Sequence, residues 1–318
     1  MDMLFTSLIF VAGLVILYFG ADYMVEGASG LALRMGVKPL VVGLTVVAFG
    51  TSAPEMVTSI IAAVTESPQI ALGNVIGSNI ANVGLIVGVS ALLLPIVADR
   101  SFLRMDVPFL LGSMLLLYLV SMDQLISRID GLLMLAGLFL FVYITYRTSA
   151  KRGGPREEVP EKQLSLTKEL LFTLGGLGGL TLGAHLMVDS AVKIATVMGV
   201  SKLVIGATIV AIGTSLPELA TSIAAIAKKQ PDIGVGNIIG SNVFNICSVL
   251  GIAPLLQKIE VDRHLFFYEY PIMIAFSAAL AVMLAKKSSI ISRWEGAILF
   301  AGFVAFLVWS FMTGQVPV

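Results

Sequence analysis

The chain has 318 residues, of which 57% are hydrophobic and only 13% charged, with a mean hydropathy of +0.97. Soluble globular domains carry about a quarter of their residues as charges, so a water-soluble fold is excluded and the chain reads as an all-α integral membrane protein. Twenty Lys and Arg balance twenty Asp and Glu, which leaves no basic bias toward nucleic acid, and the lone Cys247 excludes a disulfide framework or a multi-cysteine metal centre.

Crossing the ~30 Å hydrocarbon core takes about 20 apolar residues. Ten such runs follow one another, predicting ten transmembrane helices at 3–24, 38–65, 69–97, 104–122, 125–146, 167–191, 202–227, 232–257, 265–285 and 291–313. The first run opens on Met-Asp-Met without a basic region before it, which reads as a retained helix rather than a cleaved signal. Between the fifth and sixth runs lies a hydrophilic stretch containing KRGGPREEVPEKQ. It divides the chain into a first five-helix unit (1–147), a linker (148–166) and a second unit (167–318).

Cytoplasmic loops carry an excess of Lys and Arg. With the linker cytoplasmic, fifteen Lys and Arg fall on that side and five (Arg128, Lys193, Lys202, Lys258 and Arg263) on the other. Both termini are therefore expected to be extracytoplasmic, and the protein to reside in a prokaryotic plasma (inner) membrane.

The two units are copies. VVGLTVVAFGTSAPEMVTSIIAA and the later GNVIGSNIAN align without a gap to VIGATIVAIGTSLPELATSIAAI and GNIIGSNVFN at an offset of 163 residues. Roughly half of the positions from Val41 to Leu93 are identical to their counterparts, and ISRIDG (126–131) matches ISRWEG (291–296) at an offset of 165. Five helices per copy is an odd number, so the second enters the membrane from the opposite side and the repeats are inverted. Inverted repeats are an architecture of secondary transporters, whose sites lie near the bilayer midplane at the repeat interface.

Glu55 and Glu218 occupy equivalent places within the second and seventh runs. An ionisable group near the bilayer centre costs at least ~2.5 kcal/mol and faces a partner, a cavity or an ion; neither run offers a Lys or Arg at that depth. Pro54 and Pro217 cannot donate to the carbonyls of Gly50 and Gly213, and such freed carbonyls persist at membrane depth only where protein or a polar cavity satisfies them. Thr51, Ser52 and Glu55 share a helix face, as do Thr214, Ser215 and Glu218. In the following helix of each half, Ser78 with Asn82 and Ser241 with Asn245 are four residues apart. Together they form two pseudosymmetric walls of oxygen, hard ligands suited to Ca²⁺ or Na⁺ and poorly matched to Zn²⁺ or Cu⁺. Two carboxylates balance one Ca²⁺ or two Na⁺.

Other groups read as structural. Gly73/Gly77 and Gly236/Gly240 are GxxxG packing patterns, and Cys247 is a small packing residue. Asp22, Glu26, His185 and Asp189 read as interfacial or supporting groups, and Asp106, Asp130, Glu269 and Glu295 as acids matched to helix dipoles.

The paired GTSAPE and GTSLPE, each followed by GNVIGSN or GNIIGSN, resemble the two alpha repeats of the sodium/calcium exchanger family, within the cation/Ca²⁺ antiporter superfamily, across the whole chain. The resemblance implies ion sites between the second, third, seventh and eighth helices. It implies Glu55 and Glu218 as central ligands and Thr51 and Thr214 at a Ca²⁺ site. Na⁺ sites would fall at Ala48, Ser52 and Ser78 in one half and Ala211, Ser215 and Ser241 in the other, with Asn82 and Asn245 at the middle positions. It also implies that the first and sixth helices slide past a rigid core.

One departure is Asn245, where several family members, including the K⁺-dependent branch, carry Asp; the neutral amide favours K⁺-independent exchange. The linker is too short for the Ca²⁺-sensing domains of animal relatives. The expected activity is antiport of Na⁺ against Ca²⁺, electrogenic if more than two Na⁺ enter per Ca²⁺. The ions are bound as substrates, no cofactor is expected, and the chain is expected to act as a monomer in the lipid bilayer. An H⁺/Ca²⁺ antiporter is the nearest alternative; a cation channel or a membrane enzyme is disfavoured, the latter because no nucleophile and base accompany the carboxylates.

Overall fold

The structure is a computed structural model describing residues 3–65, 68–149, 164–199 and 211–313. Ten helices follow in chain order: α1 (Met3–Met35), α2 (Pro39–Ile61), α3 (Pro68–Leu93), α4 (Phe102–Val120), α5 (Arg128–Thr148), α6 (Leu166–Val197), α7 (Leu216–Ala227), α8 (Pro231–Leu256), α9 (Arg263–Ala285) and α10 (Arg293–Met312). Each except the shorter α7 is long and apolar enough to cross a membrane. One helical turn, Ala211–Thr214, precedes α7. Residues 202–210 of the expected seventh run, and most of the expected linker, lie outside the described residues.

The first helix is longer than its apolar run, continuing to Met35 instead of ending near residue 24. Asp22 and Glu26 interrupt the apolar pattern without ending the helix, because both reach Lys228 just after α7, at 2.8 and 3.4 Å. Helices of 33 and 32 residues extend for about 50 Å at 1.5 Å per residue. That exceeds the ~30 Å hydrocarbon thickness, so α1 and α6 must tilt or project beyond it.

These two helices pack against each other along a glycine stripe. A Cβ on Gly20 would lie 2.6 Å from the Leu180 nitrogen, and one on Gly183 would lie 2.5 Å from the Leu17 nitrogen. Backbone meets backbone there, so no side chain can move aside to make room. Gly13 faces Gly183 while Gly27 faces Glu169 and Thr173, so the pair is antiparallel. As α1 and α6 open the two copies, this is the inversion expected from five helices per repeat.

Four short strands repeat the symmetry. β1 (Ile96–Val97) pairs antiparallel with β4 (Ile290–Ile291), and β2 (Leu125–Ile126) with β3 (Ile259–Glu260). β3 is the counterpart of β1 and β4 that of β2, so each ladder joins one repeat to the other. Helix starts also repeat: the Ser127 and Ser292 backbone N–H groups donate to Asp130 and Glu295 at 2.8 and 2.9 Å. Each acid satisfies a donor at its own helix entry.

Helices α3 and α8 are the most enclosed, whereas α1, α5, α6, α9 and α10 turn much of their apolar surface outward. Gly236 and Gly240 bring α8 onto α2: Cβ atoms there would meet the Leu40 and Leu44 carbonyl oxygens at 3.1 and 2.5 Å. This close approach of the two repeats sets the spacing of the site.

Candidate functional site

The helices that carry the repeated motifs are locally irregular. Single π turns occupy Gly43–Val47 before GTSAPE, Asn82–Val87 in α3 and Asn245–Val249 in α8. Such turns concentrate at functional sites because they widen the helix and re-aim its carbonyls. The two prolines act differently. Pro54 sits inside the continuous helix Ala48–Thr65, whereas the chain breaks at Ser215 and restarts as α7 with Pro217 in its first turn. Ser215 is the residue flanking α7, yet its side chain makes no capping bond to its own helix.

That hydroxyl goes to the other repeat. Ser215 Oγ donates to Glu55 Oε1 at 3.2 Å, and its counterpart Ser52 Oγ donates to Glu218 Oε1 at 3.0 Å. Glu55 and Glu218 are 1% and 0% exposed. Glu55 lies ten residues before Thr65, the end of the helix Ala48–Thr65, and Glu218 nine residues before Ala227, the end of α7. At 1.5 Å per residue this is about 15 Å, half the hydrocarbon thickness. Among the described residues, no Lys, Arg or His forms an ion pair with either carboxylate.

The remaining polar side chains also cross between repeats. Thr51 Oγ1 donates to Asn237 Oδ1 at 3.0 Å, Asn82 Nδ2 donates to Asn242 Oδ1 at 2.9 Å, and Ser241 Oγ lies 3.5 Å from the Ala48 carbonyl oxygen. Sequence reasoning grouped the oxygens into one wall per repeat, whereas in the structure the walls interlock. Ser78 is buried on α3, one turn before Asn82. Ala211 begins the helical turn that Thr214 ends, and Asn245 opens the π turn of α8.

Several buried oxygens have no hydrogen-bond donor. Among the described residues these include Glu55 Oε2, Glu218 Oε2, Asn82 Oδ1 and Asn245 Oδ1, and the Asn245 amide nitrogen likewise has no acceptor. Leaving a buried acceptor unsatisfied costs about 1–3 kcal/mol, more for a charged one. These acceptors recur on both sides of the interface and supply the chemistry by which a hard cation is coordinated.

Asn74 and Asn237 were not singled out from the sequence. Asn237 accepts from Thr51 and donates to Ser222 Oγ at 3.3 Å; Asn74 donates to the equivalent Ser59 Oγ at 2.7 Å. Their signal was available, since each is the first Asn of the duplicated GNxIGSN motif. The acids outside this cluster have structural partners: Glu169 takes Arg34 at 2.6 Å and Glu269 takes His264 at 3.1 Å.

An all-helical membrane fold of inverted repeats around a buried acid pair defines a secondary transporter rather than an enzyme. The family model for sodium/calcium exchanger protein matches residues 5–147 and 168–312, and the chain belongs to that family. The sodium/calcium exchanger MaX1 of Methanosarcina acetivorans is 34% identical over 340 residues, covering 95% of this chain and 97% of the relative. The inner membrane protein YrbG of Escherichia coli K12 is 36% identical over 321 residues, covering 96% of each. Among solved structures, the sodium-calcium exchanger NCX_Mj soaked with Na⁺ and Sr²⁺ superposes with a TM-score of 0.84 at 33% identity, covering 96% of this chain and 99% of that one.

Proposed function

We propose that the protein exchanges Na⁺ for Ca²⁺ across the membrane by alternating access, with Glu55 and Glu218 as the central ligands. The observation that carries this reading is the reciprocal pair of serine-to-carboxylate bonds, which leaves Oε2 of each buried acid without a donor among the described residues. Two carboxylates neutralise one Ca²⁺ or two Na⁺, so the two ions compete for the same charge. Hydroxyls at Thr51, Ser52, Ser78, Thr214, Ser215 and Ser241, carbonyls at Ala48 and Ala211, and the amides of Asn82 and Asn245 complete the candidate set. The exchange is electrogenic when more than two Na⁺ enter per Ca²⁺.

The names of MaX1 and NCX_Mj support Na⁺ as the coupling ion. The hydroxyl-rich surroundings of both acids support it too, since a proton-coupled site needs only the carboxylates. The description of YrbG supports a plasma membrane location, and the excess of Lys and Arg on the linker side supports an extracytoplasmic position for both termini. The family resemblance implies that the glycine-lined α1–α6 pair slides past the core during this cycle.

Radiolabelled Ca²⁺ uptake into proteoliposomes loaded with Na⁺ tests this, beside vesicles holding only a pH gradient, each with and without K⁺. Uptake driven by Na⁺ and indifferent to K⁺ is expected. Uptake driven only by the pH gradient would move the assignment to H⁺/Ca²⁺ antiport.

A further inference from the structure

The second Asn of each duplicated GNxIGSN motif, Asn79 or Asn242, directly follows a candidate ligand, Ser78 or Ser241, without being one itself. Both are fully buried. Each sits three residues before the Asn that opens a π turn, Asn82 in α3 or Asn245 in α8. Burying an amide is costly unless its polar atoms find partners, so what these two amides bond to bears on why they are there.

Asn242 reaches across to the other repeat. Its Oδ1 accepts from Asn82 Nδ2 at 2.9 Å, which engages the amide nitrogen of Asn82 and leaves Asn82 Oδ1 with no donor among the described residues. The polarity of this bond matters. An amide side chain has an acceptor on one arm and two donors on the other, and only the oxygen suits a hard cation. Turned over, Asn82 would offer hydrogens where its oxygen now stands. As long as Asn242 presents its own oxygen, Asn82 cannot turn without breaking the bond.

The mirror bond is not made. At the 163-residue offset it would run from Asn245 Nδ2 to Asn79 Oδ1, and both of these buried atoms are without a partner among the described residues. Asn79 instead turns back on its own helix, donating from Nδ2 to the Val75 carbonyl oxygen at 2.7 Å. One middle-position amide is therefore held and the other is not, although the sequence supplies the same pair of residues twice. The geometry points to Asn242 as a positioning residue of the ion site: it secures the Asn82 amide so that Oδ1 stays available to Ca²⁺, a service that Asn79 does not perform for Asn245. The inference rests on the reading of Asn82 as an ion ligand and adds the residue that orients it. An oxygen set in advance spares the ion the cost of ordering it.

Equilibrium binding of radiolabelled Ca²⁺ to the purified full chain in detergent, arranged as a double-mutant cycle, tests the inference. Asn242→Leu removes the acceptor at little change in shape and should weaken Ca²⁺ binding about tenfold. Asn79→Leu, the same change at the equivalent place, should leave binding nearly unaltered. Asn242→Asp keeps an acceptor for Asn82 Nδ2 and should bind Ca²⁺ at least as tightly as the parent chain, which gives a second reading if Asn242→Leu is unstable. In an Asn82→Ala background, Asn242→Leu should weaken binding no further, a result that a merely structural Asn242 would not give. Losses that multiply in the double variant, equal weakening by Asn79→Leu, or weaker binding by Asn242→Asp would overturn the positioning role and leave Asn82 as a ligand. Unchanged Ca²⁺ binding by Asn82→Ala alone, or none by the parent chain, would overturn the ligand assignment and the positioning role with it.

Discussion

Ser52 and Glu218, 166 residues apart in the chain, are joined by a 3.0 Å hydrogen bond inside the membrane. Its symmetry mate joins Ser215 to Glu55 at 3.2 Å. Each repeat thus supplies the hydroxyl that orients the other repeat's carboxylate, and neither half forms the centre alone. The second oxygen of each carboxylate has no donor among the described residues, and the proposed function assigns it to a cation.

Neutralising either acid should therefore remove transport without unfolding the chain. Glu55→Gln and Glu218→Gln preserve shape and remove a buried charge that has no cationic side chain paired with it among the described residues. Ca²⁺ uptake into Na⁺-loaded vesicles is expected to fall to background in both, with unchanged thermal unfolding in detergent. Normal flux in either variant would remove that residue from the site.

Loss of an orienting bond should be graded. Ser52→Ala deletes one hydrogen bond to a carboxylate, a contribution of about 1.5–3 kcal/mol, so Ca²⁺ affinity should weaken by roughly ten- to a hundredfold. Asn237→Ala acts one step further out, releasing the Thr51 hydroxyl, and should raise the KM for Ca²⁺ by less than Ser52→Ala does. A larger effect at Asn237 would mean that it touches the ion itself.

Asn245 tests the ion selectivity. Neither of its side-chain polar atoms has a partner among the described residues, and Asn245→Asp would place a third negative charge at the centre. Ca²⁺ uptake by that variant should become sensitive to added K⁺, while the parent chain stays indifferent. Indifference of both would remove Asn245 from the ion path.

The glycine stripe permits a paired test. Gly20→Ala places a methyl group 2.6 Å from backbone and should destabilise the protein by about 1–3 kcal/mol. Gly175→Ala, on the same helix pair with nothing within 4 Å of the new Cβ, should leave the melting temperature unchanged. Equal effects would mean that close packing of α1 on α6 is not what the glycines provide.

Much of this was legible in the sequence because membrane spans need long apolar runs and because the chain carries its own alignment. The repeat located Glu55 and Glu218, and the odd helix count gave the inversion. What escaped depends on contacts between the copies. The exchange of serines between repeats requires the halves to be docked, and a 163-residue offset says nothing about which side chains then meet. Pro54 and Pro217 occupy equivalent positions, yet one lies within a continuous helix and the other begins a new one. The length of α1 was underestimated because Asp22 and Glu26 look like an end until Lys228 is seen beside them.

The central claim is that one pair of carboxylates, one from each repeat, serves both ions. Equilibrium binding of radiolabelled Ca²⁺ to the purified chain, titrated with Na⁺ and repeated with Glu55→Gln and Glu218→Gln, tests it without relying on transport. The account requires Na⁺ to displace Ca²⁺ competitively and either substitution alone to abolish Ca²⁺ binding. Ca²⁺ bound at full affinity under saturating Na⁺, or retained when one glutamate is neutralised, would contradict it.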